Sequence, residues 1–382
     1  MRLLYWDGEG EPYLVEAHSN IPPYAILSHT WGEGEVTFKH YQDGTAGDQA
    51  GYRKILFCAE QARRDNISYF WIDTCCIDKA SSAELTENIN CMYEYYQNAV
   101  HCYAYLADVT CPDVSKIGKW QEAFQMSRWF TRGWTLQELL APANVEFFSD
   151  TGVLLGDKKS LDTLISKITR IPVEVLHKTK PLAEIEPNTV FRWMEGRNTM
   201  RPEDQSYAIV GILDVHMAVI YGEGGENARI RLKDTLARVA ERSRVYSTFV
   251  GGVSGASFTL LAPLGENVHE LHLWSSKSHI QAVRVKYTNG KEELAGQASG
   301  NSKHTCFVFN QNERIKQLLL WDNQDNHHLG GIGFTTTDNR SIEFGNDTME
   351  KVEWKNKLSK RLIGISGLSG RDINRLAFVF SW

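Results

Sequence analysis

YFWIDTCCIDK, residues 69–79, decides the fold of the first half of the chain. Residues 69–72 form a continuous β-prone apolar run with no polar alternation, the mark of a strand buried on both faces of a parallel sheet. The run stops at Asp73, where the chain turns polar. Working backwards, YAILS at 24–28 is a second such strand, and it runs into the Gly-rich loop HTWGEGE. Between the two, residues 49–65 carry Ile55, Leu56, Ala59 and Ala62 at helical spacing. Working forwards, residues 85–98 repeat that spacing through Leu85, Ile89, Met92, Tyr93 and Tyr96. HCYAYLA at 101–107 is a third strand and residues 145–148 a fourth. Strand and helix alternating through short connections predict a parallel sheet with helices on both faces, over residues 1–150.

In such sheets ligands sit at the carboxyl ends of the strands. The loops at those ends are HTWGEGE, DTCCIDK and the segment leading into SRWFTRGWTLQELLAP (127–142). From Arg132 onwards the last of these reads as an amphipathic helix, with Leu136, Leu139 and Leu140 at helical spacing and Pro142 as a stop. Glu138 lies one turn beyond Trp134, so the indole and the carboxyl share a face.

Residues 151–244 read as mostly helical, with ISKITRIPVEVL and ARIRLKDTLARVAERSR as amphipathic segments. The glycine-rich YGEGGENA between them lacks the GK[ST] ending of a phosphate loop and is read as a helix cap. From Val245 short strands separated by turns take over: HELHLW, IQAVRVKY, CFVF, IKQLLLW, GGIGFTT, SIEFG, RLIGISG and RLAFVFSW. Residues 245–382 are therefore expected to form an all-β domain.

The 382 residues exceed what one core usually organises, and a net charge of -6 with no polybasic run argues against a nucleic-acid binder. The seven cysteines show no paired spacing, which suits a reducing compartment. Residues 1–13 lack the apolar core of a signal peptide, and the longest apolar run, 207–221, is short for a bilayer and interrupted by Asp214 and His216. A soluble cytoplasmic protein is expected, with no membrane span and no resident cofactor.

The blocks YAILSHTWG (24–32), FWIDTCCIDK (70–79), ELTENINCMYEYYQNAVHCYAYLADV (84–109), SRWFTRGWTLQELLAP (127–142) and the segment 197–232 resemble, in order, the fungal heterokaryon-incompatibility (HET) domain, whose members trigger cell death when incompatible hyphae fuse. Met200 and Gln205 depart from the usual threonine and alanine. HET domains are in turn similar to Toll/interleukin-receptor (TIR) domains, which implies a flavodoxin/TIR-like core. Enzymatic members of that superfamily cleave NAD at the nicotinamide ribosidic bond, with a Glu in a pattern close to S-x-W-C-x-x-E-L. WTLQEL (134–139) keeps the spacing from Trp to Glu, with Thr135 in place of the cysteine. The resemblance implies Glu138 as the catalytic acid and places the first- and second-strand loops on residues 28–32 and 73–79.

The second half resembles jacalin-related lectins, which form a β-prism, through residues 251–258, 280–291, 328–336 and 361–380. That family holds sugar with an N-terminal Gly-Gly turn and a late loop ending in Asp. Here these fall on Gly251 and Gly252 and on the loop of Gly370, Arg371 and Asp372, with Asn374 at the Asp position. The resemblance implies a glycan or protein ligand.

Cleaving the nicotinamide–ribose bond builds an oxocarbenium-like centre and releases a neutral ring, so one carboxylate beside the ribose suffices. Glu138 has that role. Trp31 or Trp134 either stacks on a planar ring or packs in the core, Arg128 is expected to meet the pyrophosphate, and His29 either joins it there or is a satisfied loop histidine. Asp73 or Asp78 either binds ribose hydroxyls or anchors its loop, while Ser28 and Gly32 complete the nucleotide loop. A nucleophilic Cys75 or Cys76 lacks any local signature, and no paired metal-ligand spacing is present. Two functions remain open: an NAD-cleaving death effector that assembles as a homo-oligomer, and a non-enzymatic scaffold acting by homotypic assembly.

Overall fold

The computed structural model describes residues 1–18, 20–111, 119–323, 327–346, 350–356 and 360–381. They form two compact units, Met1–Thr235 and Leu236–Trp382. The helices that follow residue 150 pack into the first unit, and the division between units falls inside one helix, Gly225–Arg242.

The first unit is built on a seven-stranded sheet of β1 (Arg2–Tyr5), β2 (Tyr13–Glu16), β3 (Tyr24–His29), β4 (Tyr69–Trp71), β5 (His101–Tyr105), β6 (Glu146–Phe148) and β7 (Leu154–Asp157), in the order β2-β1-β4-β3-β5-β6-β7. β3, β4, β5 and β6 are mutually parallel, as their continuous apolar runs require, and all six residues of β3 are buried. The sheet is nevertheless mixed rather than wholly parallel. A hairpin of β1 and β2 pairs antiparallel on one edge and β7 antiparallel on the other. RLLY and YLVE, on either side of a Gly-rich turn, are this hairpin.

Its helices are α1 (Phe38–Gln42), α2 (Tyr52–Arg64), α3 (Ser82–Asn98), α4 (Lys119–Met126), α5 (Thr135–Leu140), α6 (Asp162–Thr169), α7 (Val173–Leu176), α8 (Pro187–Met194) and α9 (Asp204–Tyr207). α2 buries Ile55, Ala59 and Ala62 of the spacing that marked it, with Cys58 beside them, whereas Leu56 is exposed; α3 buries Ile89, Met92 and Tyr96 below a Ser81 N-cap. Each fully buried Ile or Leu in such a face stabilises the unit by roughly 1.5–3 kcal/mol. α5 departs from expectation. It has only six residues, all buried, and follows a 3-10 turn, Arg128–Thr131, so it is a core helix and not an amphipathic one.

The second unit is antiparallel β throughout its three sheets. β8 (Val245–Tyr246), β9 (Val250–Gly251) and β10 (Ala256–Leu261) open it, followed by β11 (Val268–Ser275), β12 (Ile280–Tyr287), β13 (Glu292–Gly296) and β14 (Lys303–Val308) in a four-stranded sheet ordered β13-β12-β11-β14. β15 (Ile315–Asp322), β16 (Leu329–Thr336), β17 (Ser341–Gly345) and β18 (Val352–Lys355) form the next, ordered β17-β16-β15-β18. β19 (Arg361–Ser369) and β20 (Ile373–Ser381) close the chain against β8, β9 and β10. Inward residues of all three sheets, among them Leu273, Val283, Leu318, Ile332, Ile365 and Phe378, meet in one core. Three sheets around one core make a prism. Trp382, the end of the last expected strand, lies outside the described residues.

Candidate active site

A cleft of about 470 Å³ opens in the first unit where β3 and β4 end. Its size falls within the range of small-molecule sites. His29, the last residue of β3, lines it together with Trp31, Asp73 and Lys79 from the two strand-end loops, and Arg132, Trp134, Thr135 and Glu138 from the start of α5. Met200, Arg201, Asp204 and Tyr221 complete it from a distant part of the chain, and Ile77, Leu85, Ile89 and Met92 supply an apolar wall.

Two buried acids line the cleft, Glu138 with 7% of its surface exposed and Asp204 with 6%. The Trp129 indole N–H donates to Ser28 Oγ at 2.7 Å, and the Ser28 hydroxyl donates in turn to Glu138 Oε2. One carboxyl oxygen is thus held by a two-step relay from the core. Burial pushes the Glu138 carboxyl up to about 8, with the Asp73 carboxylate acting in the same direction. The Ser28 hydroxyl, Arg132 and Tyr96 pull the other way without prevailing.

The start of α5 is held from beneath by Arg197. This buried guanidinium donates to the carbonyls of Arg132 (2.9 Å) and Trp193 (3.1 Å) and to Thr135 Oγ1 (3.1 Å). Burial lowers its pKa to about 10, against the pull of the Glu138 charge, so it stays cationic at neutral pH. The Gly133 N–H donates to the Asn198 carbonyl at 2.9 Å, and a Cβ on Gly133 would come within 2.4 Å of Thr199 Cγ2. This close seam brings Met200, Arg201 and Asp204 to the cleft.

The strand-end loops are as tightly fixed. Buried Lys54 of α2 donates to the Thr30 carbonyl at 3.1 Å and pairs with Glu35, while the Gly32 N–H donates to Glu35 Oε1 at 2.8 Å. Burial opposes ionisation of Glu35, yet His29 and Lys54 outweigh it and hold the carboxyl down at about 2. The Trp31 indole N–H donates to Asp73 Oδ2 at 2.9 Å, and the Lys79 ammonium lies 3.5 Å from the centre of the Trp31 ring. His29 stands between Glu35 Oε2 at 3.6 Å and Asp73 Oδ1 at 4.0 Å, and neither ring nitrogen has a hydrogen-bond partner among the described residues.

Of the residues expected at the site, the structure brings together Glu138, His29, Trp31, Asp73 and Trp134 at the cleft, with Ser28 directly behind Glu138. Gly32 anchors its loop through Glu35. Asp78 lies outside the cleft lining and accepts from the Ala80 N–H at 2.9 Å in a turn. Arg128 is also outside it: its side chain is two-thirds exposed and pairs with Asp108 at 3.6 Å, because the 3-10 turn points it away. Arg132, Arg201 and Lys79 are the cleft's cations instead. Burial also raises the Cys75 thiol well above its usual pKa, which makes it a poor nucleophile.

In the second unit Gly251 has φ +118°, and a Cβ there would stand 2.0 Å from the Asn374 carbonyl, so that turn needs glycine. The Gly252 N–H donates to the same carbonyl at 2.8 Å. Asn374 is buried, and its amide donates to Ser254 O at 2.8 Å and Ser254 Oγ at 3.0 Å. Its donors are spent inside the protein. Gly370 and Arg371 fix the late loop through backbone bonds to Asp372 and Gln297. Asp372 is partly exposed, with Oδ2 3.5 Å from His279 Nε2.

The heterokaryon incompatibility family profile matches residues 24–117, and the jacalin-like lectin domain profile matches residues 247–379. Residues 24–117 are thus similar to the HET family and residues 247–379 to the jacalin-like lectins. Over 244 residues, 62% of this chain, it is 49% identical to the vegetative incompatibility protein HET-E-1 of Podospora anserina, and it spans 18% of that protein's length. Among solved structures the lamprey immune protein is 24% identical over 36% of this chain and 44% of its own, with a TM-score of 0.34. A mannose-specific jacalin-related lectin from Morus nigra in complex with mannose is 15% identical over 37% of this chain and 96% of its own, with a TM-score of 0.31. Among the described residues no helix is long and apolar enough to cross a membrane.

Proposed function

We propose that the HET domain hydrolyses NAD at the nicotinamide–ribose bond as a cell-death effector in incompatibility. Glu138 is the catalytic carboxylate, and the β-prism acts as the sensing domain. The observation that carries this reading is the buried Glu138 carboxyl in a cleft at the strand ends. The second-first-third-fourth order of the parallel strands agrees with a flavodoxin/TIR-like core. Arg132, Arg201 and Lys79 offer three cations for the pyrophosphate, Trp134 an aromatic face, and Asp73 and His29 polar partners for ribose hydroxyls. In the reaction the C1′–N bond breaks and its electron pair neutralises the pyridinium ring. Water adds to C1′, and its proton passes to the Glu138 carboxylate and then to solvent. The products are ADP-ribose, nicotinamide and one proton.

Glu138 must be ionised to stabilise the cationic centre, yet it is mostly protonated in the empty cleft at neutral pH. The positive nicotinamide riboside favours the carboxylate, so binding releases a proton. The expected kcat/KM for NAD therefore rises about tenfold per pH unit below 8 and levels above it, while kcat levels at lower pH. A steady-state pH profile of nicotinamide release tests this. A kcat/KM that is flat from pH 5 to 8 would contradict the role given to Glu138. Homo-oligomer formation, the remaining part of the reading, makes specific activity rise with protein concentration in the same assay.

For the β-prism, Asn374 stands at the Asp position with its amide bonded internally, and Asp372 has one oxygen buried and the other facing His279, so no carboxylate of the loop is open to a sugar. Losing a charge-assisted bond costs about 1.5–3 kcal/mol, more than tenfold in affinity. Simple mannose and galactose are expected to bind weakly or not at all, and a protein surface or a larger glycan to bind better. Strong monosaccharide binding on a glycan array, abolished by Asn374→Ala, would contradict this.

A further inference from the structure

A second constellation lies on the outward face of the β-prism, far in sequence from everything used so far. Glu270 and His272 are two residues apart on β11 and so share a face, and Cys306 of β14 sits directly opposite His272 in the register. Glu270 Oε2 stands 3.1 Å from His272 Nε2, and Cys306 Sγ stands 3.5 Å from that same nitrogen. All three candidate ligand atoms lie within 4.8 Å of one another.

We propose that Glu270, His272 and Cys306 bind a divalent transition ion of the zinc type. Around a tetrahedral zinc with ordinary bond lengths, a carboxylate oxygen and an imidazole nitrogen stand about 3.4 Å apart, and a thiolate sulfur and an imidazole nitrogen about 3.6 Å. The two observed separations fall close to both, and the third pair, the Glu270 carboxylate and the Cys306 sulfur, lies within 4.8 Å. The other imidazole nitrogen, His272 Nδ1, lies 3.2 Å from His304 Nε2, and the two rings are stacked. Nδ1 also faces the Arg284 guanidinium at 3.3 Å, which can only donate, so without an ion Nδ1 accepts and Nε2 carries the proton toward Glu270; an ion on Nε2 displaces that proton, and Nδ1–H then donates to His304 with Arg284 turned to its other partner, Glu292. Trp274 stacks on His304 at 4.6 Å and holds that partner in place.

The neighbouring charges leave room for a dication. Lys286 Nζ bonds the far oxygen of Glu270 at 2.9 Å and lies 4.0 Å from Glu292, which also pairs with Arg284 at 3.1 Å, so Lys286 can pass to Glu292 when the ion takes Glu270. Three protein ligands leave the fourth corner to water or to a donor from a bound partner.

The test uses the full chain without an affinity tag, stripped by a chelator and titrated with Co²⁺ as the spectroscopic probe. One equivalent is expected to give a thiolate-to-cobalt charge-transfer band with tetrahedral ligand-field bands, removed again by one equivalent of Zn²⁺. Cys306→Ser should abolish the charge-transfer band and weaken binding at least tenfold. Glu270→Gln should keep the band and also weaken binding at least tenfold. His101→Ala, at another His and carboxylate cluster among the described residues, should change neither. No cobalt spectrum in the parent, a charge-transfer band that persists in Cys306→Ser, or unchanged binding in Glu270→Gln would each overturn the assignment.

Discussion

Glu138→Gln is expected to slow NAD cleavage at least a hundredfold and at the same time to stabilise the protein at alkaline pH. The first effect follows from removing the charge that stabilises the developing cation, since one positioned acid or base contributes about 10²–10⁴ in rate. The second follows from linkage. The folded carboxyl titrates near 8, above the usual value of 4.5 that it regains on unfolding. Between those values the unfolded chain binds fewer protons than the folded one, so stability falls as pH rises and the deficit is complete above 8. Glutamine carries no charge to bury and keeps an oxygen for the Ser28 hydroxyl. A gain of about 1–3 kcal/mol at pH 8 is expected after allowing for the buried amide. Denaturant unfolding of parent and variant at pH 5 and pH 8 measures it. Equal changes with pH in the two proteins would mean that Glu138 is already ionised in the fold.

Arg197→Met is expected to cost about 2–4 kcal/mol and to disable the site. The methionine fills similar space but leaves the carbonyls of Arg132 and Trp193 without the donors that Arg197 supplies. It also removes a buried cation that interacts with Glu138. Glu138 should therefore titrate still higher, moving the rise in kcat/KM to more alkaline pH. A variant that is merely less stable would keep the parent's profile at a temperature where both are folded, so the two roles separate.

The four parallel strands were legible because each is an uninterrupted apolar run, and α2 and α3 because their buried residues recur at helical spacing. The β1–β2 hairpin was not, since RLLY and YLVE are four residues each and the charged turn between them dominates the composition. Glu138 was found from its spacing to Trp134, which α5 preserves despite its short length. Arg128 was expected in place of Arg132 because a helical wheel says nothing about a 3-10 turn. Arg201, Asp204 and Tyr221 reach the cleft only through the seam between Gly133 and Asn198, a contact across more than 60 residues that no local pattern encodes. The same reason hides Glu270, His272 and Cys306: ligand spacing along the chain misses a trio assembled by strand register.

The central claim is most directly tested by incubating the full chain with NAD at rising protein concentration and resolving the products by chromatography. Nicotinamide and ADP-ribose are expected in amounts that match the NAD consumed. Intact NAD at every concentration, in a protein shown by its unfolding transition to be folded, would contradict the account and leave homotypic assembly as the function of the domain.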